Sequence, residues 1–312
     1  MWHCRLIWLL IALAVTGAAP AYAAKPAVLA TIAQIGQPLG KIAGDCASVE
    51  SLLGEGVDPH LYQLTRADMK RLLAADLVLA NGHNLEAGLR RALDALAERG
   101  RVLYVAETIE RERLLPWSDH HADPHLWMDP ALWRDALTAG VARISALVPA
   151  CAADIGRRAM AFFDRLEKVD AYTADALASI PPETRMLVTA HDAFAYFGRR
   201  YAIELHGVQG ISTESEAGLA RIEQLVRLLV DRRVPAVFVE TSVSDRLVRA
   251  LIEGAAAAGQ TVRIGGTLYS DAMGAAGTYR GTLIGMLDHN ATTIARALGG
   301  QAPGFSPELA EK

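Results

Sequence analysis

Short apolar runs alternate with longer segments of helical periodicity along most of the chain. The runs are aliphatic and β-branched and have the length of strands, whereas the segments between them repeat apolar residues every three or four positions. Strands are predicted at residues 28–35, 77–79, 102–105, 186–189, 203–208, 236–239 and 261–264. Because parallel strands need crossover helices, the alternation predicts an α/β fold with mainly parallel sheets.

Three helices of ordinary length are predicted at residues 85–96, 219–230 and 247–258. Thr213 and Glu216 stand three apart before the second of these, which predicts a capping box at its start.

One predicted helix is much longer than the others. Apolar residues recur at helical spacing from Cys151 to Leu177, for about seven turns, and Pro181–Pro182 ends the pattern. A helix of this length predicts a rigid connector between two lobes. The expected organisation is a first α/β lobe at 24–150, a connecting helix at 151–180 and a second α/β lobe at 181–312.

The first 23 residues have the pattern of a secretory signal peptide: a basic start, a short apolar run and an Ala21-Tyr22-Ala23 cleavage site. The apolar run is too short to span a bilayer. No cysteine stands at the expected cut, so lipid attachment is not expected. The mature chain is predicted to be soluble and exported, most simply to a bacterial periplasm.

Two cysteines, Cys46 and Cys151, remain after removal of the signal. An oxidising compartment would allow one disulfide, but the sequence leaves open whether they pair or are separate buried thiols. The formal net charge is −4. This mild acidity argues against nucleic acid or an anionic membrane as a partner. A length of 312 residues suffices for two domains.

Asp-Pro-His occurs twice, ending at His60 and at His125, and each copy is followed by Leu and an aromatic residue. Proline fixes φ and biases the preceding residue towards an extended conformation, so each histidine follows a stiffened turn. A single copy would be ordinary turn chemistry. Two copies with the same downstream residues predict a metal site.

Two further candidate ligands come from the second half of the chain. His191 directly follows the predicted strand 186–189, and Asp271 follows strand 261–264. Taken alone, His191 could be a hydrogen-bonded core histidine and Asp271 a capping or turn residue. Open parallel sheets bind ligands beyond the carboxyl ends of their strands, which favours four ligands, His60, His125, His191 and Asp271, around a cation between the halves.

The predicted ligand set suits a first-row transition ion. Three imidazoles and one carboxylate fill a tetrahedral shell, which favours capture of the ion over catalysis. His120 and His121 lie in a polar loop that is either simply solvated or gathers metal transiently. Glu240, at the end of a predicted strand, either orients a ligand or caps the next helix. We expect the remaining histidines, at 83, 206 and 289, to be ordinary surface or core residues.

Six segments resemble the cluster A-I solute-binding proteins, which bind zinc or manganese for ABC transporters. They are GVDPHLY (56–62), DPHLWMDP (123–130), HDAFAYF (191–197), GVQGISTESEAG (207–218), AVFVETSVS (236–244) and GGTLYSDAMG (265–274). They are distributed over essentially the whole mature chain in family order.

The resemblance implies a C-clamp protein, two α/β lobes joined by one long helix, with metal held between the lobes on His60, His125, His191 and Asp271. It implies periplasmic capture of a divalent ion and delivery to an inner-membrane ABC permease by a protein expected to be monomeric. A periplasmic metallochaperone is a further candidate partner. Manganese members often carry glutamate where this chain has His191, so zinc is favoured and manganese is the alternative.

Two other functions are weighed against metal capture. A secreted zinc hydrolase would need an open coordination position and a nearby base, yet HExxH, HxxEH and GxSxG are absent from the sequence. A surface adhesin would need a large exposed apolar patch, which the sequence does not reveal. The expected protein is therefore not an enzyme and has no catalytic residues.

Overall fold

The computed structural model describes residues 24–118 and 121–305. The predicted signal peptide, residues 1–23, and His120 lie outside this part of the chain. Within it, no helix combines the length and the apolar character that crossing a bilayer requires.

A four-stranded parallel sheet forms the centre of the first half. Its strands are β1 (Ala27–Ala30), β2 (Ser48–Ser51), β3 (Leu77–Ala80) and β4 (Val102–Tyr104). The spatial order is β2-β1-β3-β4, so the chain starts in the middle and adds strands on both sides. Buried apolar residues fill β3 and most of β1, as expected for strands covered on both faces.

Four helices accompany this sheet. They are α1 (Ala33–Ala43), α2 (Arg66–Ala74), α3 (Arg90–Ala97) and α4 (Pro130–Leu147). Thr65 and Asp68 form a capping box at the start of α2. The Asp129 side chain caps α4 by accepting hydrogen bonds from two backbone N–H groups, and Pro130 occupies the first helical position.

A 27-residue helix, α5 (Ala152–Ala178), follows the first half. Its buried face repeats at helical spacing through Ile155, Phe162, Leu166 and Val169. The helix ends shortly before the two prolines, close to where the sequence pattern predicts.

The second half again alternates strands with helices. Its strands are β5 (Met186–Thr189), β6 (Glu204–Gly207), β7 (Ala236–Glu240) and β8 (Arg263–Leu268), and its helices are α6 (Ala195–Tyr201), α7 (Leu219–Asp231), α8 (Arg246–Ala257) and α9 (Leu283–Ala297). Strand β5 pairs with β6 and β7 with β8, both in parallel, and β5 lies against β7.

Two apolar cores divide the molecule unequally. The larger core joins the first half to α5, α9 and the segment carrying Leu268 and Met273. The smaller core lies between strands β5 and β7 and helices α7 and α8. Helix α9 therefore packs with the first half of the chain, although it is the last helix of the described residues.

The structure of the first sheet differs from the prediction in two places. The predicted strand 28–35 ends at Ala30, and its second part is the first turn of α1. A short continuous apolar run does not distinguish a strand from a buried helix, which explains this error. Strand β2 was not predicted because it is an edge strand of alternating exposed and half-buried residues, Ser48–Ser51, with only one aliphatic side chain.

The predicted capping box of α7 is wrong. The helix starts at Leu219 with Gly218 at its N-cap and no side-chain cap. The Thr213 hydroxyl instead donates to Asp58 Oδ2 at 2.6 Å, across to the first half, and Glu216 pairs with Arg246. The spacing was correct for a cap, but the chain uses these residues in tertiary contacts.

Cys46 and Cys151, whose pairing the sequence leaves open, form a disulfide with Cα atoms 6.1 Å apart. The bond ties the turn after α1 to the residue that precedes α5. It closes a loop with a sequence separation of 105. Arg158 reinforces the same junction by donating from Nε to the Ile42 carbonyl at 2.6 Å and from Nη2 to the Ala43 carbonyl at 2.8 Å.

Two helical glycines allow a matched test of the packing. A Cβ at Gly156 in α5 would meet nothing within 4 Å, so we expect Gly156→Ala to stabilise the fold by about 0.5–1 kcal/mol. A Cβ at Gly285 in α9 would lie 1.9 Å from the Tyr279 carbonyl oxygen, so Gly285→Ala should destabilise it by about 1–3 kcal/mol. Denaturant unfolding of both variants measures this, and changes of the same sign would contradict it.

Candidate metal centre

The structure brings the four predicted ligand side chains to one point between the halves. One ligand atom from each of His60, His125, His191 and Asp271 lies within 4.8 Å of the others. All four residues are buried, with exposed fractions of 3% or less. Two come from the first half and two from the second.

The two Asp-Pro-His segments adopt the same local structure. Asp58 Oδ1 accepts from the His60 backbone N–H at 2.8 Å, and Asp123 Oδ1 accepts from that of His125 at 3.0 Å. An aspartate bonded to the N–H two residues on is an Asx turn. The sequence repeat is therefore a repeated turn that presents a histidine.

The two turns differ in what else the aspartate binds. Asp123 Oδ1 also accepts from His125 Nδ1 at 2.7 Å. This bond orients the ring and leaves Nε2 to face the cluster. Asp58 Oδ2 instead accepts the Thr213 hydroxyl of the second half. The His60 turn is thus bonded to the second half of the chain.

His191 follows the carboxyl end of β5, and Glu240, at the end of neighbouring β7, holds it at two points. Glu240 Oε1 accepts the His191 backbone N–H at 2.9 Å, and Oε2 accepts Nδ1 at 2.6 Å. Of the two roles that the sequence leaves open for Glu240, the structure has the orienting one.

Asp271 lies beyond the carboxyl end of β8 with both oxygens facing imidazole nitrogens. Oδ1 is 3.2 Å from His125 Nε2, and Oδ2 is 3.1 Å from His191 Nε2 and 3.7 Å from His60 Nε2. The Nε2 atoms of His60 and His125 are 3.3 Å apart. Among the described residues, neither carboxylate oxygen nor His191 Nε2 has a hydrogen bond of acceptable geometry.

These unpaired atoms fit a cation. Leaving buried polar atoms without partners costs several kcal/mol, so such groups normally coordinate something. A tetrahedral ion with bonds of about 2.0–2.1 Å keeps its ligand atoms about 3.3 Å apart. Four of the distances between facing atoms, 3.1 to 3.7 Å, lie near that value, and one ligand atom from each residue lies within 4.8 Å of the others.

Burial and charge act in opposite directions on the pKa values of the cluster. Burial lowers the pKa of His60 to about 3, and Asp271 does not offset it. Burial also disfavours charge on His125, but the Asp123 and Asp271 carboxylates outweigh it and raise its pKa to about 9. Glu240 and Asp271 outweigh burial at His191 in the same way and raise its pKa well above the usual value.

The Asp271 carboxylate carries the opposite charge to these two imidazoles. Burial opposes its ionisation, yet the charges on His191 and His125 hold its pKa well below the usual range. The carboxylate is therefore ionised at neutral pH. In the absence of metal, protons on two imidazoles supply the positive charge that it needs.

The other described histidines lie apart from this cluster. His206 pairs with Glu204 at 2.9 Å, and the ring of His289 contacts the Thr267 carbonyl at 2.9 Å. His83 lies beside Glu107, and half-buried His121 follows the undescribed residues 119–120 in the loop. None of them belongs to the group of candidate ligands found in the described ranges.

Comparison with known proteins supplies the family. Residues 28–297 match the family described as ZnuA, zinc-uptake complex component A, periplasmic. The chain belongs to this family.

Named relatives of this ZnuA-family chain differ in the metal that they bind. It is 43% identical over 272 residues to the manganese-binding lipoprotein MntA of Bacillus subtilis, covering 87% of this chain and 89% of MntA. It is 41% identical to the zinc-binding protein TroA of Treponema pallidum, covering 88% and 89%. The solved structure of that periplasmic zinc-binding protein, 41% identical, superimposes with a TM-score of 0.86, over 88% of this chain and 99% of the chain in that structure.

Family membership confirms several of the expectations from the sequence. The protein is a metal-binding, extracytoplasmic substrate-binding protein of an ABC transporter. It is a transport component and not an enzyme, which sets aside the secreted hydrolase. The α/β fold with parallel sheets and one long helix is confirmed as that of TroA. Which ion this chain carries is not decided by relatives that bind different metals.

The charge pattern predicts the protonation states of the metal-free site. At pH 7.5, His125 and His191 should be doubly protonated and His60 neutral, which histidine ¹H–¹⁵N NMR measures. The raised pKa of His125 contributes stability to the metal-free fold below about pH 6.5, which is lost as pH rises through about 9. Titration of His125 near its ordinary pKa would contradict the pattern.

Proposed function

We propose that this protein captures a single zinc ion in the periplasm on His60, His125, His191 and Asp271 and delivers it to an inner-membrane ABC permease. The observation that carries the proposal is the cluster of three imidazole nitrogens and an ionised carboxylate around one buried point, with unpaired ligand atoms facing each other. The ion is the cargo of the protein and not a catalytic group.

The donor set supports zinc as the cargo. Three nitrogen ligands suit zinc better than manganese, and a site of given ligands binds zinc more tightly in the ordinary order of divalent affinities. Three of the distances between facing atoms, 3.1 to 3.3 Å, are also close to those between the ligands of a four-coordinate zinc ion. A filled shell leaves no coordination position for a reacting water.

Manganese is the second candidate, and one observation favours it. Both oxygens of Asp271 face the cluster, at similar distances from imidazole nitrogens. Together with three imidazoles they offer five donor atoms, which suits an ion that takes more than four ligands and accepts carboxylate oxygen readily. The manganese-binding relative MntA is consistent with this alternative.

Delivery requires that the affinity falls when the loaded protein meets the permease. A protein that binds its cargo equally well in all conformations cannot be made to release it. The origin of the ligands supports such a change, because residues from both halves of the chain are needed for the complete shell. We propose that the mature protein acts as a monomer, with shifts of the ligand-bearing loops and not a wide hinge motion.

The choice between the two ions is tested by competition. Purified protein, stripped of metal, should bind one equivalent of zinc and prefer it to manganese at equal free concentrations, as followed by elemental analysis after dialysis in buffered metal. His191→Glu replaces a nitrogen donor by oxygen and should shift the zinc-to-manganese preference by about tenfold or more towards manganese. A wild type that prefers manganese would overturn the zinc assignment, and one that binds neither ion would overturn the site.

The contacts of Glu240 give a second test of the site. Glu240→Gln weakens the acceptor that orients His191 and should lower metal affinity about 10–100-fold, measured by chelator competition. The matched control is Glu204→Gln, which also removes a carboxylate beside a histidine, His206, but away from the cluster. Equal effects of the two substitutions would contradict the orienting role.

A further inference from the structure

The loop that carries Asp271 leaves a strand of the second half, yet the first half holds its backbone. Gln34, on α1, donates from Nε2 to the Ser270 carbonyl at 3.2 Å and to the Asp271 carbonyl at 2.9 Å. Trp127, two residues after His125, donates from Nε1 to the same Ser270 carbonyl at 2.9 Å. Both side chains are completely buried.

Helix α9 holds the residue before this pair, and side chains after β7 contact the loop as well, through Ser242 with Ser270 and Thr241 with the Ala272 carbonyl. Asn290, on α9, accepts the Tyr269 N–H at 2.9 Å and donates to the Tyr269 carbonyl at 2.6 Å. Immediately afterwards, Ser270 and Asp271 are bonded to Gln34 and Trp127. The backbone of Asp271 is thus fixed by groups from α1 and from the His125 segment.

We infer that Gln34 and Trp127 are positioning residues for the Asp271 carboxylate and attach this ligand to the half of the protein that carries His60 and His125. The inference rests on the proposed function, since it concerns the geometry of the same metal site. It assigns a role to two residues that do not touch the ion.

The position of the carboxylate depends on this support. Its oxygens lie 3.2 Å from His125 Nε2 and 3.1 Å from His191 Nε2, but neither has a well-formed hydrogen bond to a described residue, so the backbone largely sets the plane of the group. Both oxygens face the cluster at nearly equal distances from the imidazoles of His125 and His191. A rotation of the backbone would leave one oxygen directed inwards and turn the other away.

The two candidate ions respond differently to such a rotation. A four-coordinate zinc ion needs one carboxylate oxygen, whereas an ion with a larger coordination number benefits from both. Gln34 and Trp127 are therefore also determinants of metal preference. Loss of their hydrogen bonds should cost manganese affinity more than zinc affinity.

The chain offers a closely matched control on the same helix. Gln37, one turn after Gln34, also reaches the second half, where its Oε1 accepts the Leu283 N–H at 3.0 Å. That bond ends on α9 and not on the ligand loop. Gln34→Met and Gln37→Met each remove one amide of the same size that bridges the halves, but only the first removes support from Asp271.

The experiment compares zinc and manganese Kd values and the visible spectrum of the Co²⁺-loaded full chain for Gln34→Met, Trp127→Phe and Gln37→Met. We expect Gln34→Met to weaken manganese binding by about 10–100-fold and zinc binding less, and to change the Co²⁺ bands. Trp127→Phe keeps a ring beside His125. It should change the metal affinities and the Co²⁺ bands in the same direction as Gln34→Met does. Gln37→Met should leave the spectrum and both Kd values within about threefold of wild type.

The outcomes separate this inference from the proposed function. If wild type binds neither metal, the proposed function fails. If wild type binds metal but Gln34→Met and Gln37→Met have equal effects on Kd, the positioning role is wrong. Melting temperatures of the metal-free variants serve as the folding control, since a purely structural role would lower them without altering the Co²⁺ bands or the ratio of the two metal affinities.

Discussion

The buried carboxylate of Asp271 is the constraint on which the rest of the centre depends. It is ionised, removed from water and without a well-formed hydrogen bond to any described residue. Such a charge is stable only beside a cation. The raised pKa values of His125 and His191 supply that cation in the metal-free protein, and under the proposed function a metal ion would take its place. On that proposal, binding exchanges protons for metal.

Strand ends and tight turns position the four candidate ligands. His191 and Asp271 follow the carboxyl ends of β5 and β8, and the two Asx turns fix the backbone at His60 and His125. The carboxylates of Asp123 and Glu240 then orient two of the rings. Each histidine is held by a short-range contact before any ion arrives, so little conformational entropy remains to be lost on binding.

The sequence predicts the parts of this protein that repeat or follow a period. The long helix and most strands were predicted because apolar spacing reports burial, and the repeated Asp-Pro-His identified a local turn. Contacts between distant residues leave no such signal. Gln34 and Trp127 donate to backbone carbonyls, which every residue has, so no pairing is visible in the sequence. Thr213 and Glu216 have cap spacing but serve tertiary contacts, and edge strand β2 lacks the apolar pattern of its neighbours.

The Cys46–Cys151 bond makes the stability of the fold depend on the redox state of the compartment. In a reducing cytoplasm the two thiols stay apart, and the unfolded polypeptide keeps the freedom that a closed loop of this length would remove, on the order of 4–5 kcal/mol. Oxidation outside the cytoplasm then closes the loop and restricts the unfolded chain, which stabilises the folded protein relative to it.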